Sequence, residues 1–209
     1  MKRIAFTLSV LFAGNVFAQS DKLTELIAKG VELHDQQKYD EAISQFKAAL
    51  EIDSKSNLAN YEISYSYLLS KQYESAIKHS TIVIDNGTEY LHEAYIVLGS
   101  AQDMTGKPLK AIKTYEEGLK KFPNSHLLHY NLAFTCYYQK DYKKAEASAI
   151  AAIIAKPEHG SSHILLSAIM DQVGQRVKSL LPMYYFLMIE PGSERSLSNY
   201  NWLKSQLGM

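Results

Sequence analysis

The chain has 209 residues, 46% hydrophobic and 21% charged, a balance that suits one folded domain with a sizeable core and excludes disorder, which needs fewer apolar residues and a larger net charge. Lys+Arg and Asp+Glu both number 22, so no basic excess exists to hold a phosphate backbone, and no nucleic-acid partner is expected. Cys136 is the single cysteine, which excludes an internal disulfide and leaves stability to packing.

Residues 1–18 form the first expected element. Lys2 and Arg3 precede a mostly apolar stretch from Ile4 to Val16, and Val16-Phe17-Ala18 ends it on small or modest side chains before Gln19. Charge, short apolar run and small-residue exit are the layout of a secretory signal peptide. The run is short for a hydrocarbon layer ~30 Å thick. No later run is long enough for a membrane helix, so no integral membrane segment is expected once the signal is removed. The expected location is therefore outside the cytoplasm, in the periplasm or elsewhere on the outer side of a bacterial cell envelope.

From residue 23 the sequence repeats. Pro123, Pro157 and Pro191 are 34 residues apart. Ala42, Ala76, Ala111, Ala145 and Ser179 mark a small-residue position on the same beat, and Gly30, Ser64, Gly99, Ala133 and Ser167 mark a second, twelve residues earlier. The period places repeats at 23–56, 57–90, 92–125, 126–159 and 160–193, with residue 91 inserted after the turn signal Asp85-Asn86-Gly87. Each contains two stretches with apolar residues at helical spacing; Ile43, Phe46, Ala49 and Leu50 share one face in the first. One such pair cannot bury its own apolar face, so neighbours must stack. The fifth repeat is degenerate: Pro182 should bend its second helix, and Phe186 stands where the others have Ala49, Val83, Gly118 and Ala152. Residues 194–209 read as a capping helix with an apolar stripe of Leu197, Tyr200, Leu203 and Leu207, and with Trp202 off its centre.

The period and the order of residues in the third repeat, Tyr95, Leu98, Gly99, Ala111, Tyr115 and Pro123, resemble the tetratricopeptide repeat (TPR) family. The resemblance implies an all-α fold, a right-handed α-solenoid of about five TPR helix pairs across 19–193 closed by the C-terminal helix. It also implies that the first helices of successive pairs line a groove for an extended or helical peptide segment. By register that face carries Ile27, Val31, Tyr61, Tyr65, Leu68, Leu69, Ile96, Ser100, Tyr130, Asn131, Phe134, Tyr137, Tyr138, Ile164 and Ala168, with His34, Asp103 and Asp171 as polar groups. The family's carboxylate clamp is absent, because its positions hold Ile27, Val31, Tyr65 and Ile96. The groove is aromatic and weakly polar, suited to apolar side chains of a guest chain.

The expected function is a non-catalytic protein–protein interaction module, or scaffold, of the bacterial envelope. One alternative is a unit that assembles with itself through an end face or through Trp202. Another is a metal-assisted hydrolase at a histidine-rich edge formed by His92, His126, His129, His159 and His163. Zinc takes three or four ligands in fixed geometry, whereas His129 and His163 fall on the family's packing position, and no HExxH or cysteine pair is present. No nucleophile elbow, P-loop or dinucleotide fingerprint occurs either. Neither a metal nor a cofactor is expected.

Overall fold

The structure, a computed structural model, describes the backbone of residues 2–208 and the side chains of 19–208. The side chains of 1–18, where the export signal is expected, lie outside the described residues. Among those described there are eleven helices and no strand, and no helix is long and apolar enough to cross a membrane. The helices are α1 (Lys2–Asp35), α2 (Tyr39–Ile52), α3 (Asn57–Leu69), α4 (Tyr73–Asn86), α5 (Leu91–Met104), α6 (Pro108–Lys121), α7 (His126–Tyr138), α8 (Tyr142–Ala155), α9 (Gly160–Gln172), α10 (Arg176–Ile189) and α11 (Glu194–Leu207). They divide into two compact units, Met1–Ala101 and Gln102–Met209.

The small-residue beat explains the pairing. Ala42, Ala76, Ala111, Ala145 and Ser179 are all fully buried, each on the second helix of its pair, where a missing side chain lets two backbones approach. The turn inside each pair carries one left-handed residue on the same period: Gln37 (φ 61°), Lys71 (63°), Gly106 (73°), Lys140 (62°) and Gly174 (73°). Glycine adopts that conformation freely, while a side chain there costs ~1–2 kcal/mol. Starts of first helices are capped by serine hydroxyls: Ser56, Ser125 and Ser193 accept from the amides of Ala59, Leu128 and Ser196.

In the first unit the core runs through Ile27, Ile43, Phe46, Ile63, Tyr67 and Val97. Gly30 of α1 makes it possible: a Cβ there would sit 2.4 Å from Phe46 Cε1. The second unit buries Tyr115, Leu128, Leu132, Cys136 and Ile169. Its C-terminal end has a smaller core of Met183, Phe186 and Leu203, against which Ile164, Leu180 and Trp202 pack. Here too a glycine faces a phenylalanine, since a Cβ on Gly160 would lie 3.0 Å from Phe186 Cδ2. The ring that looks out of place in the fifth repeat thus has room made for it.

Helix α10 runs from Arg176 to Ile189 with Pro182 inside it. One expectation for this end needs correction. On α11 the expected packing stripe is mostly open to solvent: Leu197, Tyr200 and Leu207 are exposed and only Leu203 is buried. Helix α11 turns a different face inward because it stands one period after α9, with Arg195 following Ser161 and Trp202 following Ala168 by 34 residues. It takes the place of a first helix.

Candidate functional site

Helix α7 supplies the densest group of rings. Tyr130, Phe134, Tyr137 and Tyr138 lie at i, i+4, i+7 and i+8, one face of a helix whose other face buries Leu128, Leu132 and Cys136. The rings touch in series: Tyr130–Phe134 at 6.2 Å, Phe134–Tyr138 at 4.8 Å and Tyr137–Tyr138 at 5.4 Å between centroids. They wall a cleft of about 380 Å³ with Ser161, Ile164, Leu165 and Ala168 of α9 and Arg195 of α11. A second cleft of about 240 Å³ shares Tyr137, Ile164 and Ala168 and adds Ser167, Asp171, Gln172, Met183, Asn199 and Trp202. The shared walls make one groove with two ends, built from α7, α9, α10 and α11.

The ends differ in charge. At the first, the Arg195 guanidinium pairs with the Glu190 carboxylate, donates to Ser161 Oγ at 3.0 Å and lies 5.3 Å over the Phe186 ring. The hydrogen bond from Arg195, helped by one from Ser193, holds the Glu190 carboxyl down at about 2. At the second end Asp171 has no cation beside it. Burial pushes the Tyr130 and Tyr137 phenols up, so both remain neutral donors at neutral pH. His159, which meets Tyr130 at 5.2 Å, is pushed down by burial and then by His126, and is neutral too. Burial lifts the Cys136 thiol to about 11 behind this wall, leaving it protonated and poor as a nucleophile.

The first unit uses its rings differently. His34 of α1 stacks on Tyr65 at 5.0 Å, Tyr65 lies parallel to Tyr61 at 6.3 Å, and Tyr61 lies parallel to Tyr90 at 5.4 Å. The rings form one linear series, and burial together with Glu62, Glu93 and the neighbouring phenols pushes the Tyr61 hydroxyl up to about 12. Ile27, expected on the ligand face, is 7% exposed and belongs to the core, with Val31 and Leu68 packed against it. Ile27 and Val31 do border a separate cleft of about 560 Å³ with Leu23, Ala28 and Leu58. Ile96 on α5 and Asn131 on α7 are half-buried.

The expected groove residues therefore do not form one set. Tyr130, Phe134, Tyr137, Tyr138 and Ile164 come together around one cleft; Tyr61 and Tyr65 stack on each other; Ile27 is core. Arg195 and Asn199 were missed; Trp202, singled out at the edge of the α11 stripe, both packs on the small core and walls the cleft, two repeats after Phe134. The histidines are tied to structure: His129 and His163 each donate a ring N–H to a proline carbonyl six residues back, Pro123 O at 2.9 Å and Pro157 O at 2.7 Å. Among the described residues no three His, Cys, Asp or Glu converge as a metal would require.

Comparison with known proteins agrees with this architecture. The tetratricopeptide repeat family model matches residues 27–79 and 97–160. Curated protein sequences gave no match. Among solved structures, pilF of Pseudomonas aeruginosa superposes with a TM-score of 0.77 at 13% identity, covering 91% of this chain and 86% of that one. PilW, a type IV pilus biogenesis factor, also reaches 0.77 at 17% identity, covering 89% of this chain and 86% of its own. YrrB, a TPR protein with an unusual peptide-binding site, reaches 0.63 at 17% identity over 84% of this chain and 90% of its own. Likeness at such identities is a likeness of fold.

Proposed function

The chain belongs to the tetratricopeptide repeat family, and from that premise we propose that it is a non-catalytic scaffold of the bacterial envelope that holds a protein or peptide segment in the groove of its second unit. One observation carries the reading: Tyr130, Phe134, Tyr137 and Tyr138 leave their ring faces around an open cleft between first helices. Aromatic walls offer large, rigid contact area at small entropic loss, and such residues dominate binding energy where they are central. The export half of the reading is supported by Lys2, Arg3, the apolar run and the small-residue exit at Ala18.

The test is photo-cross-linking in intact envelopes from Tyr138, which is 64% exposed. One discrete cross-linked product is expected, lost in a Phe134→Lys variant whose circular dichroism is unchanged. A product that persists in that variant removes the groove as the site.

A second reading has its own observation. Val177, Leu181, Tyr184 and Met188 recur at i, i+4, i+7 and i+11 on α10, all exposed, whereas the terminal unit of a repeat array needs a polar outer face. That stripe suits pairing with a second copy of the chain. Light scattering that finds only monomer over a wide concentration range excludes it.

A further inference from the structure

We propose that the end of the groove beside Trp202 is a subsite for an ammonium group, the side chain of a lysine in the bound segment. The inference rests on the groove reading and adds to it the charge the guest carries at this point. Tyr137 and Trp202 both wall the 240 Å³ cleft, and the faces of such rings attract cations. Gln172 Oε1 in this cleft already accepts from the Tyr142 hydroxyl at 3.4 Å, and three other oxygens, on Asp171, Asn199 and Ser167, are left without a donor among the described residues. Asp171, exposed on the last turn of α9, makes no side-chain hydrogen bond or ion pair among the described residues. Asn199 uses its amide N–H on the Arg195 carbonyl at 2.8 Å, which leaves its Oδ1 free to accept. An ammonium brings three N–H donors and no acceptor, the complement of this set.

The third acceptor makes the case independent of one surface carboxylate. Ser167 lines the same cleft, is fully buried, and its hydroxyl has no partner. It occupies the small-residue position of the repeat, where Gly30, Gly99 and Ala133 show that no hydroxyl is required for packing. Where serine stands at that position in the second repeat, it is satisfied: Ser64 Oγ donates to the Tyr61 carbonyl at 2.7 Å. Buried polar atoms are ordinarily paired, and one left unpaired beside a cleft asks for a ligand. The opposite end of the groove gives the contrast, since its cation, Arg195, is already neutralised by Glu190. A guest with a lysine at one end and apolar side chains along Tyr130 and Phe134 fits both halves.

Trp202 is the only tryptophan, so its fluorescence reads this site without a label. The probes are Nα-acetyl-lysine methylamide and Nα-acetyl-norleucine methylamide, which share a stem and differ in the ammonium. We expect the lysine probe to bind about tenfold more tightly in low salt, and Asp171→Asn, which keeps the side-chain shape, to erase the difference. Equal affinity for the two probes, or a preference that survives in Asp171→Asn, overturns the subsite. If the norleucine probe still binds and is lost in Phe134→Lys, the groove itself stands; if neither probe binds, both ideas fall.

Discussion

Tyr61 and Tyr65 in the first unit stand on the same helix face as Tyr130 and Phe134 in the second, and all four are half-buried, yet the first pair stacks in a ladder of parallel rings and the second walls an open cleft. The neighbours decide. His34 bonds Ser66 through Nδ1 at 2.7 Å and lays its ring on Tyr65. Sixty-nine residues on, two repeats plus the inserted residue, Asp103 accepts from Thr135 Oγ1 at 2.9 Å and brings no ring to cover Phe134. The polar tie is kept and the aromatic cover is dropped. Tyr90 lies flat against Tyr61 with planes 5° apart, while its counterpart His159 meets Tyr130 edge-on at 82°. One repeat plan thus yields a stacked series of rings and an open aromatic cleft, and the difference lies in a few residues beside the shared register.

The strongest way to break this comparison is at the two glycine–phenylalanine contacts. In the first unit a methyl group on Gly30 would overlap Phe46, whose ring carbons stand 2.4–2.8 Å from the new Cβ. The ring is fully buried and has nowhere to swing. Gly30→Ala is expected to destabilise by about 1–3 kcal/mol, overpacking outweighing the ~1 kcal/mol that alanine gains in helix propensity. Gly160→Ala approaches Phe186 only to 3.0 Å and the tip of the Arg195 side chain to 3.2 Å, so a change within ~1 kcal/mol is expected. Chemical denaturation of the two variants ranks them, and equal losses would show that both units are packed alike.

A smaller effect separates stability from binding. Tyr61→Ala removes two stacked partners in the first unit, worth about 1–2 kcal/mol together, and should leave binding of an apolar probe near Trp202 unchanged. Tyr130→Ala loses a tilted contact to Phe134 and an edge-on one to His159 in place of two parallel stacks; it should cost about 1 kcal/mol of stability and weaken that probe several-fold. The same two variants, measured by urea midpoint and by Trp202 fluorescence, should give opposite rankings. Identical rankings would mean that the rings of the second unit are packing residues like those of the first.

Much of this was legible in the sequence, because period is a strong signal. The small-residue beat located the close helix contacts, and the fully buried Ala42, Ala76, Ala111, Ala145 and Ser179 show why those positions admit so little. The division of the ring face was not legible. Register places Tyr65 and Phe134 identically, and only the side chain reaching across from the preceding first helix, His34 or Asp103, tells a covered ring from an open one. The face of α11 was misjudged for a related reason. Its Leu and Tyr residues form an amphipathic stripe, but the helix stacks by the repeat period, which turns Arg195, Asn199 and Trp202 to the groove and leaves Leu197 and Tyr200 outside. Hydrophobic pattern and packing frame disagree there, and the frame wins.

The smallest effect distinguishes the units by acid. His79 Nδ1–H donates to Asn60 Oδ1 at 2.9 Å, and burial, then Lys78 and Lys47, push its pKa from 6.5 down to about 4. Between those values the unfolded chain binds the proton that the folded chain refuses, so stability falls as pH drops through that window and is whole above it. For a ring partly open to solvent the loss is about 1 kcal/mol after screening. In the second unit His159, also lowered by burial, acts in the same sense near α7 and α9, whereas the Glu190–Arg195 pair that ties α10 to α11 loses its contribution only below the ordinary carboxylate range, as pH falls toward about 2. Amide exchange followed from pH 7 to 4 should therefore loosen α3 and α4 before α10 and α11. Within the first unit Glu62, raised by burial and Asp35, works in the opposite sense, and His34, lowered by burial, in the same sense, so the wild-type slope mixes three groups. His79→Gln isolates the imidazole: its amide can keep the bond to Asn60 and cannot titrate, and the acid sensitivity of α3 and α4 should flatten. An unchanged slope in that variant would place the acid-sensitive group elsewhere and remove the distinction between the units.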